Sequence, residues 1–299
     1  MNKKIRSSII LLLATTIWGS AFVAQRMGMD HIGPYTFQAA RCFLALVVLI
    51  PISVFSDMKK KDQSTYFKRW KDKKLWKAGL LCGIPLFIAC NLQQLGLVDT
   101  DAGKSAFLTA MYIVFVPIIG LLAKRKPTWT IPVSVVLAVA GLYFLSCVGM
   151  TAINRSDLLL LGCAAAFALQ ITAVDLFANQ VDAIRLSMLQ ALVCATLTCI
   201  PMAIFETPTW AGIREASLPI AYAGCLSMGM SYTLQIVGQK NLEPAVASLI
   251  MSLESVFAVL TGCIVLHERL NNYEILGCVL VFSAVIVSQL PTRRKIKTQ

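Results

Sequence analysis

Residues 92–120, LQQLGLVDTDAGKSAFLTAMYIVFVPIIG, align without a gap with residues 234–262, LQIVGQKNLEPAVASLIMSLESVFAVLTG, at a constant offset of 142. Identical residues meet at several positions of this alignment: Leu92 and Leu234, Gln93 and Gln235, Gly96 and Gly238, Phe115 and Phe257, Gly120 and Gly262. A long segment that occurs twice indicates a chain of two related halves. We place their boundary so that residues 1–150 form the first half and residues 151–299 the second.

Low-charge segments of membrane-spanning length recur on both sides of the repeated segments. The chain is 57% hydrophobic and only 14% charged, whereas a soluble domain carries roughly 25% charged residues. About 20 apolar residues cross a bilayer as a helix. We therefore predict an all-α polytopic membrane protein with ten transmembrane helices: 7–25, 34–56, 78–98, 104–123, 128–150, 157–176, 184–205, 216–239, 244–266 and 273–290.

Five spans in each half give the two halves opposite orientations in the membrane. The sequence therefore predicts two inverted five-helix repeats, an arrangement that secondary transporters use for alternating access. The basic, apolar N-terminus is similar to a signal peptide, but its apolar run is longer than usual and lacks a clean small-x-small cleavage site. We interpret it as a retained first helix.

The basic residues fall mainly on one side of the predicted membrane. If the N-terminus lies inside, 21 of the 27 Lys and Arg residues are on the inner side and five on the outer side. Positive charge is concentrated on the cytoplasmic side of membrane proteins. We therefore expect a multi-pass protein of the inner (plasma) membrane with both termini in the cytoplasm.

The longest predicted loop, residues 57–77, mixes lysines with Tyr66, Phe67, Trp70 and Trp76. Such a mixture occurs in nucleic-acid-binding proteins, but next to two spans it fits the headgroup region of the membrane better. Apart from setting the topology, the loop is expected to contact anionic lipid. No nucleic-acid partner is expected, and the sequence leaves the oligomeric state open.

Motifs for enzymatic or metal chemistry are absent from the sequence. The ten cysteines lie in predicted spans and form no C-x-x-C pair. Gly103-Lys104-Ser105 lacks the earlier glycine of a P-loop, because that position is Val98. His31 and His267 lie in predicted outer loops and belong to no H-E-x-x-H motif. We expect no cofactor, no metal and no catalytic site.

Glu254 lies in the second repeated segment, inside the run SLIMSLESVFAVL, residues 248–260, which is otherwise apolar or small. A charged side chain at the bilayer centre costs roughly 3 kcal/mol on insertion scales. It must therefore face the protein interior or water, and the alignment places it at the depth of Tyr112. One hypothesis is that it binds a substrate ammonium group or carries a coupling proton; the alternative is a structural acid that pairs with Arg41, Lys104 or nearby backbone.

Further polar and aromatic residues within the spans are candidates to line a binding cavity. The predicted substrate-binding set is Trp18, Arg41, Gln93, Gln94, Tyr112, Gln170, Tyr232, Gln235 and Glu254. Gln190 and Phe257 are further candidates. For the glutamines and the aromatic residues the alternative is a hydrogen bond between helices or core packing. For Arg41 the alternative is a structural ion pair or a side chain that reaches outward to the interface. Pro85 and Pro117 are expected to interrupt helices beside the site, and Gly79-x-x-x-Gly83 to allow close packing.

Four segments of the chain resemble the EamA-type family of drug/metabolite transporters. They are WGSAF (18–22), AARCFLAL (39–46), GKSAFLTAMYIVFVP (103–117) and SLESVFAVLTGCIVLHERLNNYEILGCVLVF (252–282). The resemblance covers essentially the whole chain. It implies ten helices in two EamA repeats around a central cavity that moves small metabolites, often amino acids or related compounds.

The residues and the resemblance together predict a secondary transporter that exports a small amphiphilic metabolite by alternating access. An importer of the same fold is the alternative within this class. A membrane-embedded enzyme or a passive pore is the alternative from other classes.

Overall fold

The computed structural model describes residues 2–58, 69–125, 127–146, 154–265 and 271–290. Within these ranges the secondary structure is helical, without strands. Residues 59–68 of the predicted lipid-contacting loop, His267 and the C-terminus from residue 291 lie outside the described residues.

The described residues of the first half form six helices. They are α1 (Lys3–Met29), α2 (Pro34–Met58), α3 (Lys73–Val98), α4 (Ala102–Ala110), α5 (Tyr112–Leu122) and α6 (Thr130–Ser146). The helices of the second half are α7 (Arg155–Phe177), α8 (Ala183–Phe205), α9 (Trp210–Glu215), α10 (Ser217–Ala221), a π-helix (Tyr222–Ser231), α11 (Tyr232–Gln239), α12 (Pro244–Met251), α13 (Glu254–Val265) and α14 (Asn272–Ser288).

Seven helical stretches in the described part of the chain are long and apolar enough to cross a membrane. They match seven of the predicted spans: Lys3–Met29, Pro34–Met58, Lys73–Val98, Ala102–Leu122, Arg155–Phe177, Ala183–Phe205 and Pro244–Val265. Thr130–Leu145 and Asn272–Ser288 are shorter apolar helices at two further predicted positions. The prediction of an all-helical polytopic membrane protein is confirmed, while the count of ten spans stays a prediction.

The predicted span 216–239 differs from a single α-helix. Its middle is a π-helix, Tyr222–Ser231, between two short α-helices. The hydroxyl of Ser231 donates to the carbonyl of Leu226 over 3.1 Å. π-Helical segments are rare and occur frequently at functional sites.

Two helix interruptions lie at corresponding positions of the repeated segments. A turn at Met111 separates α4 from α5, and a turn at Ser252–Leu253 separates α12 from α13. The backbone tightens there: the amide of Met111 bonds to Leu108 and that of Leu253 to Ile250. The expectation that Pro85 and Pro117 mark the interruptions is wrong, because both lie inside continuous helices.

The first helix of each half packs against the other half. α1 packs along α13, α11 and the π-helix, and α7 packs along α3 and α5. α2 packs against α8, and α6 against α14. The core therefore lies between the two halves of the chain.

Glycines permit the closest helix contacts. A Cβ at Gly79 would lie 2.6 Å from Leu189 Cβ, and one at Gly83 would lie 2.7 Å from Val193 Cβ. The predicted Gly79-x-x-x-Gly83 motif thus brings α3 against α8, as small residues do in membrane helices.

Carboxylates connect α2 and α8 at both ends. At the predicted inner end, Asp57 at the end of α2 pairs with Arg185 near the start of α8. At the predicted outer end, Glu206 after α8 accepts hydrogen bonds from the amides of Tyr35 (2.9 Å) and Thr36 (2.7 Å) near the start of α2. These contacts tie the two antiparallel helices together at both ends.

Candidate functional site

A cavity lies between the halves, and the space among its lining residues, including its opening, amounts to about 460 Å³. Both halves contribute to its wall, which contains polar, aromatic and charged side chains. The lining residues are Trp18, Phe22, Gln25, Arg41, Gln93, Tyr112, Phe167, Gln170, Ile171, Ser227, Tyr232, Gln235, Met251 and Glu254.

Glu254 and Tyr112 meet directly in this cavity wall. The Tyr112 hydroxyl donates a hydrogen bond of 3.0 Å to Glu254 Oε1, and the two residues are only 3% and 5% exposed. Each is the first residue of a helix that follows an interruption. The N-terminus of a helix carries unpaired amides and partial positive charge, which stabilise a carboxylate there. The interruption at Leu253 therefore places the acid where both the Tyr112 hydroxyl and a helix end stabilise it.

The cations that were considered as partners of Glu254 lie elsewhere. No Lys or Arg of the described residues forms an ion pair with this carboxylate. Lys104 instead pairs with Asp157 over 2.7 Å. The structural hypothesis that Glu254 holds Arg41 or Lys104 is thus not supported by the contacts.

Arg41 is almost fully buried, at 2% exposure, without a carboxylate partner in the described residues. Its Nη1 donates to Gln25 Oε1 over 2.6 Å, and its Nε donates to Gln38 Oε1 over 2.7 Å. Hydrogen bonds to charged groups are stronger than those between neutral groups. Two amide oxygens therefore hold the guanidinium at the cavity while leaving its positive charge unneutralised.

Aromatic rings form another part of the wall. The rings of Trp18 and Tyr232 are 5.0 Å apart, and those of Tyr112 and Phe167 are 6.5 Å apart. The indole nitrogen of Trp18 donates to the carbonyl of Ser227, in the π-helix, over 3.4 Å. These contacts fix the rings, so the wall combines rigid apolar faces with polar groups.

The glutamines cross-link helices at the cavity. Gln170 Nε2 donates to Gln190 Oε1 over 2.8 Å, and Gln235 Nε2 donates to Gln170 Oε1 over 3.1 Å. Gln93 Nε2 donates to Thr109 over 3.4 Å. Gln190 is thus behind Gln170 and does not line the cavity.

Eight of the nine predicted binding residues border one cavity: Trp18, Arg41, Gln93, Tyr112, Gln170, Tyr232, Gln235 and Glu254. Gln94 does not, since its amide points to Met29 Sδ at 3.3 Å. Phe257 packs against the apolar core instead of the cavity.

The sequence reasoning did not identify six residues of the wall: Phe22, Gln25, Phe167, Ile171, Ser227 and Met251. Gln25 carries a usable signal, because it is an amide that directly follows an apolar run. The predicted first span ends at this residue, whereas α1 continues to Met29. The apolar residues give no signal that separates them from ordinary core positions.

The described residues contain no group of three or more His, Cys, Asp or Glu side chains that could hold a metal ion. The chemistry available in the cavity is therefore that of a carboxyl group, a guanidinium, amides, hydroxyls and aromatic rings. Such a set binds small molecules that have both charged and apolar parts.

Two curated relatives align over nearly the whole chain. An uncharacterized transporter of Archaeoglobus fulgidus is 29% identical over 289 residues, which cover 96% of this chain and 87% of the relative. The uncharacterized transporter YoaV of Bacillus subtilis is 24% identical over 293 residues, which cover 96% of this chain and 98% of the relative.

A solved crystal structure has a similar fold, with a TM-score of 0.77 over 95% of this chain and 96% of the other at 15% identity. The model of the EamA-like transporter family matches the chain twice, over residues 5–147 and 154–289. Together the two matches cover almost the whole sequence. The chain is therefore a multi-pass membrane protein that belongs to the EamA-like transporter family.

Proposed function

We propose that the protein is a secondary transporter that exports a small amphiphilic metabolite, such as an amino acid or a related compound, by alternating access around the central cavity. The observation that carries the proposal is the hydrogen bond between Tyr112 and Glu254. It joins corresponding positions of the two repeated segments in the wall of a buried cavity, where an alternating mechanism needs its substrate site.

The charges of the cavity support a substrate that carries both an acidic and a basic group. Glu254 can accept hydrogen bonds from an ammonium group, and the Trp18 and Tyr232 rings can contact its positive charge. Arg41 Nη2 has no hydrogen-bond partner among the described residues and is available to a carboxylate. Glu254 could equally exchange a proton with the transported compound, which would couple transport to a proton gradient.

Two inverted five-helix repeats, residues 1–150 and 151–299, remain part of this proposal. The two matched family segments support the division at the middle of the chain. The interruptions at Met111 and Leu253 fall at matching positions. The contacts of α1 with α11 and α13 also match those of α7 with α3 and α5.

The proposed location is the inner (plasma) membrane, with both termini in the cytoplasm. The excess of basic residues on one side supports this orientation. Lysines of the loop 57–77 are proposed to contact anionic lipid at that surface. No nucleic acid, cofactor or metal is part of the proposed function.

An importer of the same fold would use the same cavity, and only the direction of net flux separates it from an exporter. A passive pore would conduct without saturation. A membrane-embedded enzyme would convert its substrate chemically; no activity of this kind is proposed for the cavity.

The test is purified protein in liposomes. A metabolite library is first screened for compounds that raise the melting temperature of the protein, and each such compound is then followed as a labelled solute across the liposome membrane. Saturable flux of an unmodified compound supports the proposal. Stabilisation accompanied by chemical conversion would instead indicate an enzyme.

A further inference from the structure

A second hollow, which we call the inner groove, opens at the predicted inner end of the bundle. Including its open mouth, it encloses about 1060 Å³, and its wall is mostly apolar. α5, α7 and α12 form its sides through Val116, Thr172 and Pro244, and Ile131 at the start of α6 closes one flank. Arg125 borders it, paired with Asp175 over 2.8 Å.

The inner groove lies next to the central cavity along the same helices. On α5, Tyr112 lines the cavity, while Val116 and Gly120, one and two turns further, line the groove. Residues four apart lie on the same face of a helix. On α7, Ile171 lines the cavity and its neighbour Thr172 lines the groove. About one turn of helix thus separates the two hollows.

The corresponding positions at the predicted outer end are packed shut. Val116 and Pro244 of the groove align with Ala258 and Ala102, which pack in an apolar cluster with Phe22, Leu97 and Ala106. At Gly120 a Cβ would meet no atom within 4 Å, whereas its counterpart Gly262 is buried. Equivalent positions of the two repeated segments therefore line an open groove at one end and a packed apolar cluster at the other.

An ion pair lies at the same closed end. Lys104 Nζ, in the first turn of α4, is 2.7 Å from Asp157 Oδ1, in the first turn of α7. The side chains are only 10% and 5% exposed. Because α4 and α7 come from different halves, the pair holds the halves together on the side opposite the groove.

We propose that the inner groove is the vestibule through which the transported compound passes between the cytoplasm and the central cavity. The proposal rests on the proposed function and orientation. A small amphiphilic solute fits the groove because its apolar walls lead to the polar cavity, with an Arg125–Asp175 ion pair at the border. The groove thus opens at the predicted inner end, while the positions that correspond to it at the predicted outer end pack in the apolar cluster beside the Lys104–Asp157 pair.

Accessibility of Gly120 tests the path without any knowledge of the substrate. Inverted membrane vesicles carrying Gly120→Cys are treated with the charged thiol reagent methanethiosulfonate ethylsulfonate, and the unmodified protein with its native cysteines sets the background. Lys124→Cys, in the exposed turn after α5, is the positive control, and Ala258→Cys, in the packed cluster, is the matched comparison. We expect Gly120→Cys to react and Ala258→Cys to stay near background. An unreactive Gly120→Cys beside a reactive Lys124→Cys would overturn the proposal.

Blocking the groove tests its use. Gly120→Trp places a large ring in the open space at this position. Leu121 is 54% exposed and does not line the groove, so Leu121→Trp adds the same ring away from it. We expect Gly120→Trp to lose flux of the compound found in the liposome screen and Leu121→Trp to retain it.

Normal flux through Gly120→Trp would mean that the groove holds only lipid and would overturn the proposal. If Gly120→Trp fails to fold, the labelling result decides. If the unmodified protein moves no compound at all, the proposed function fails, while the labelling still reports whether the groove is an aqueous path.

Discussion

Tyr112 donates a 3.0 Å hydrogen bond to Glu254, a residue 142 positions later in the chain. The same offset relates the two repeated segments, so equivalent positions of the two halves touch each other. Cys90 and Tyr232, also 142 residues apart, approach to 3.6 Å between sulfur and hydroxyl oxygen. Residues that contact their own counterparts lie beside the pseudo-twofold axis that relates the two halves. A site that is shared by two alternating states must lie at this axis.

Glu254→Gln should separate a functional acid from a structural one. The amide keeps the shape and can still accept the Tyr112 hydrogen bond, so the variant should insert and stay monodisperse. Transport or its pH dependence should be lost, because the amide carries neither charge nor proton. The measurement is flux in liposomes from about pH 5 to about pH 8.

Tyr112→Phe is the matched variant, since it removes the hydrogen bond but keeps the acid. Normal transport by Glu254→Gln over the whole pH range would exclude both proposed roles of the carboxyl group. Failure of this variant to fold would make the acid structural, and the site would then rest on the glutamines.

The orientation is tested by labelling intact cells with an impermeant thiol reagent. Cysteines at Asp30, Arg155 and Trp210, which are all exposed at the predicted outer end, should react. Cysteines at Lys124 and Gln180, exposed at the opposite end, should react only after the membrane is opened. Labelling of the second group in intact cells would reverse the orientation.

The Lys104–Asp157 pair should stabilise the fold. Lys104→Met leaves a carboxylate that is 5% exposed without its cation, and breaking such a pair costs about 3–5 kcal/mol. Arg125→Met breaks the more exposed pair with Asp175, which should cost less than about 1 kcal/mol. Thermal unfolding of the two purified variants in detergent provides the comparison, and equal losses would show that burial of the first pair does not matter.

Gly83 should be intolerant of a side chain because α3 and α8 touch there. The Cβ of Gly83→Leu would lie 2.7 Å from Val193 Cβ, so the helices must separate. Gly120→Leu provides the control, since it makes the same substitution in a helix that has open space at that position. We expect a lower melting temperature for the first variant and little change for the second; the reverse order would contradict the packing.

Most of the cavity wall was predictable because polar groups in an apolar span must face the protein interior. Gln93 and Gln94 show the limit of this rule. Successive helix residues point about 100° apart, so only one of the two reaches the cavity, and the sequence does not say which. The neighbour Gln94 turns instead to Met29.

The partner of Glu254 and the positions of the helix interruptions were not predictable in the same way. The alignment placed Tyr112 and Glu254 at one depth, but their contact depends on how the halves pack. The interruptions avoid both prolines and fall at Met111 and Leu253, which are ordinary residues for a helix interior.

The most direct test of alternating access is counterflow in liposomes that contain the purified protein. Liposomes are preloaded with the unlabelled compound from the library screen, and entry of trace labelled compound is followed with and without the preload. A single site that alternates between the two sides predicts faster entry of label into preloaded liposomes, and loss of this acceleration with Glu254→Gln. Flux that rises linearly with concentration and is indifferent to the preload would contradict the account and indicate a pore.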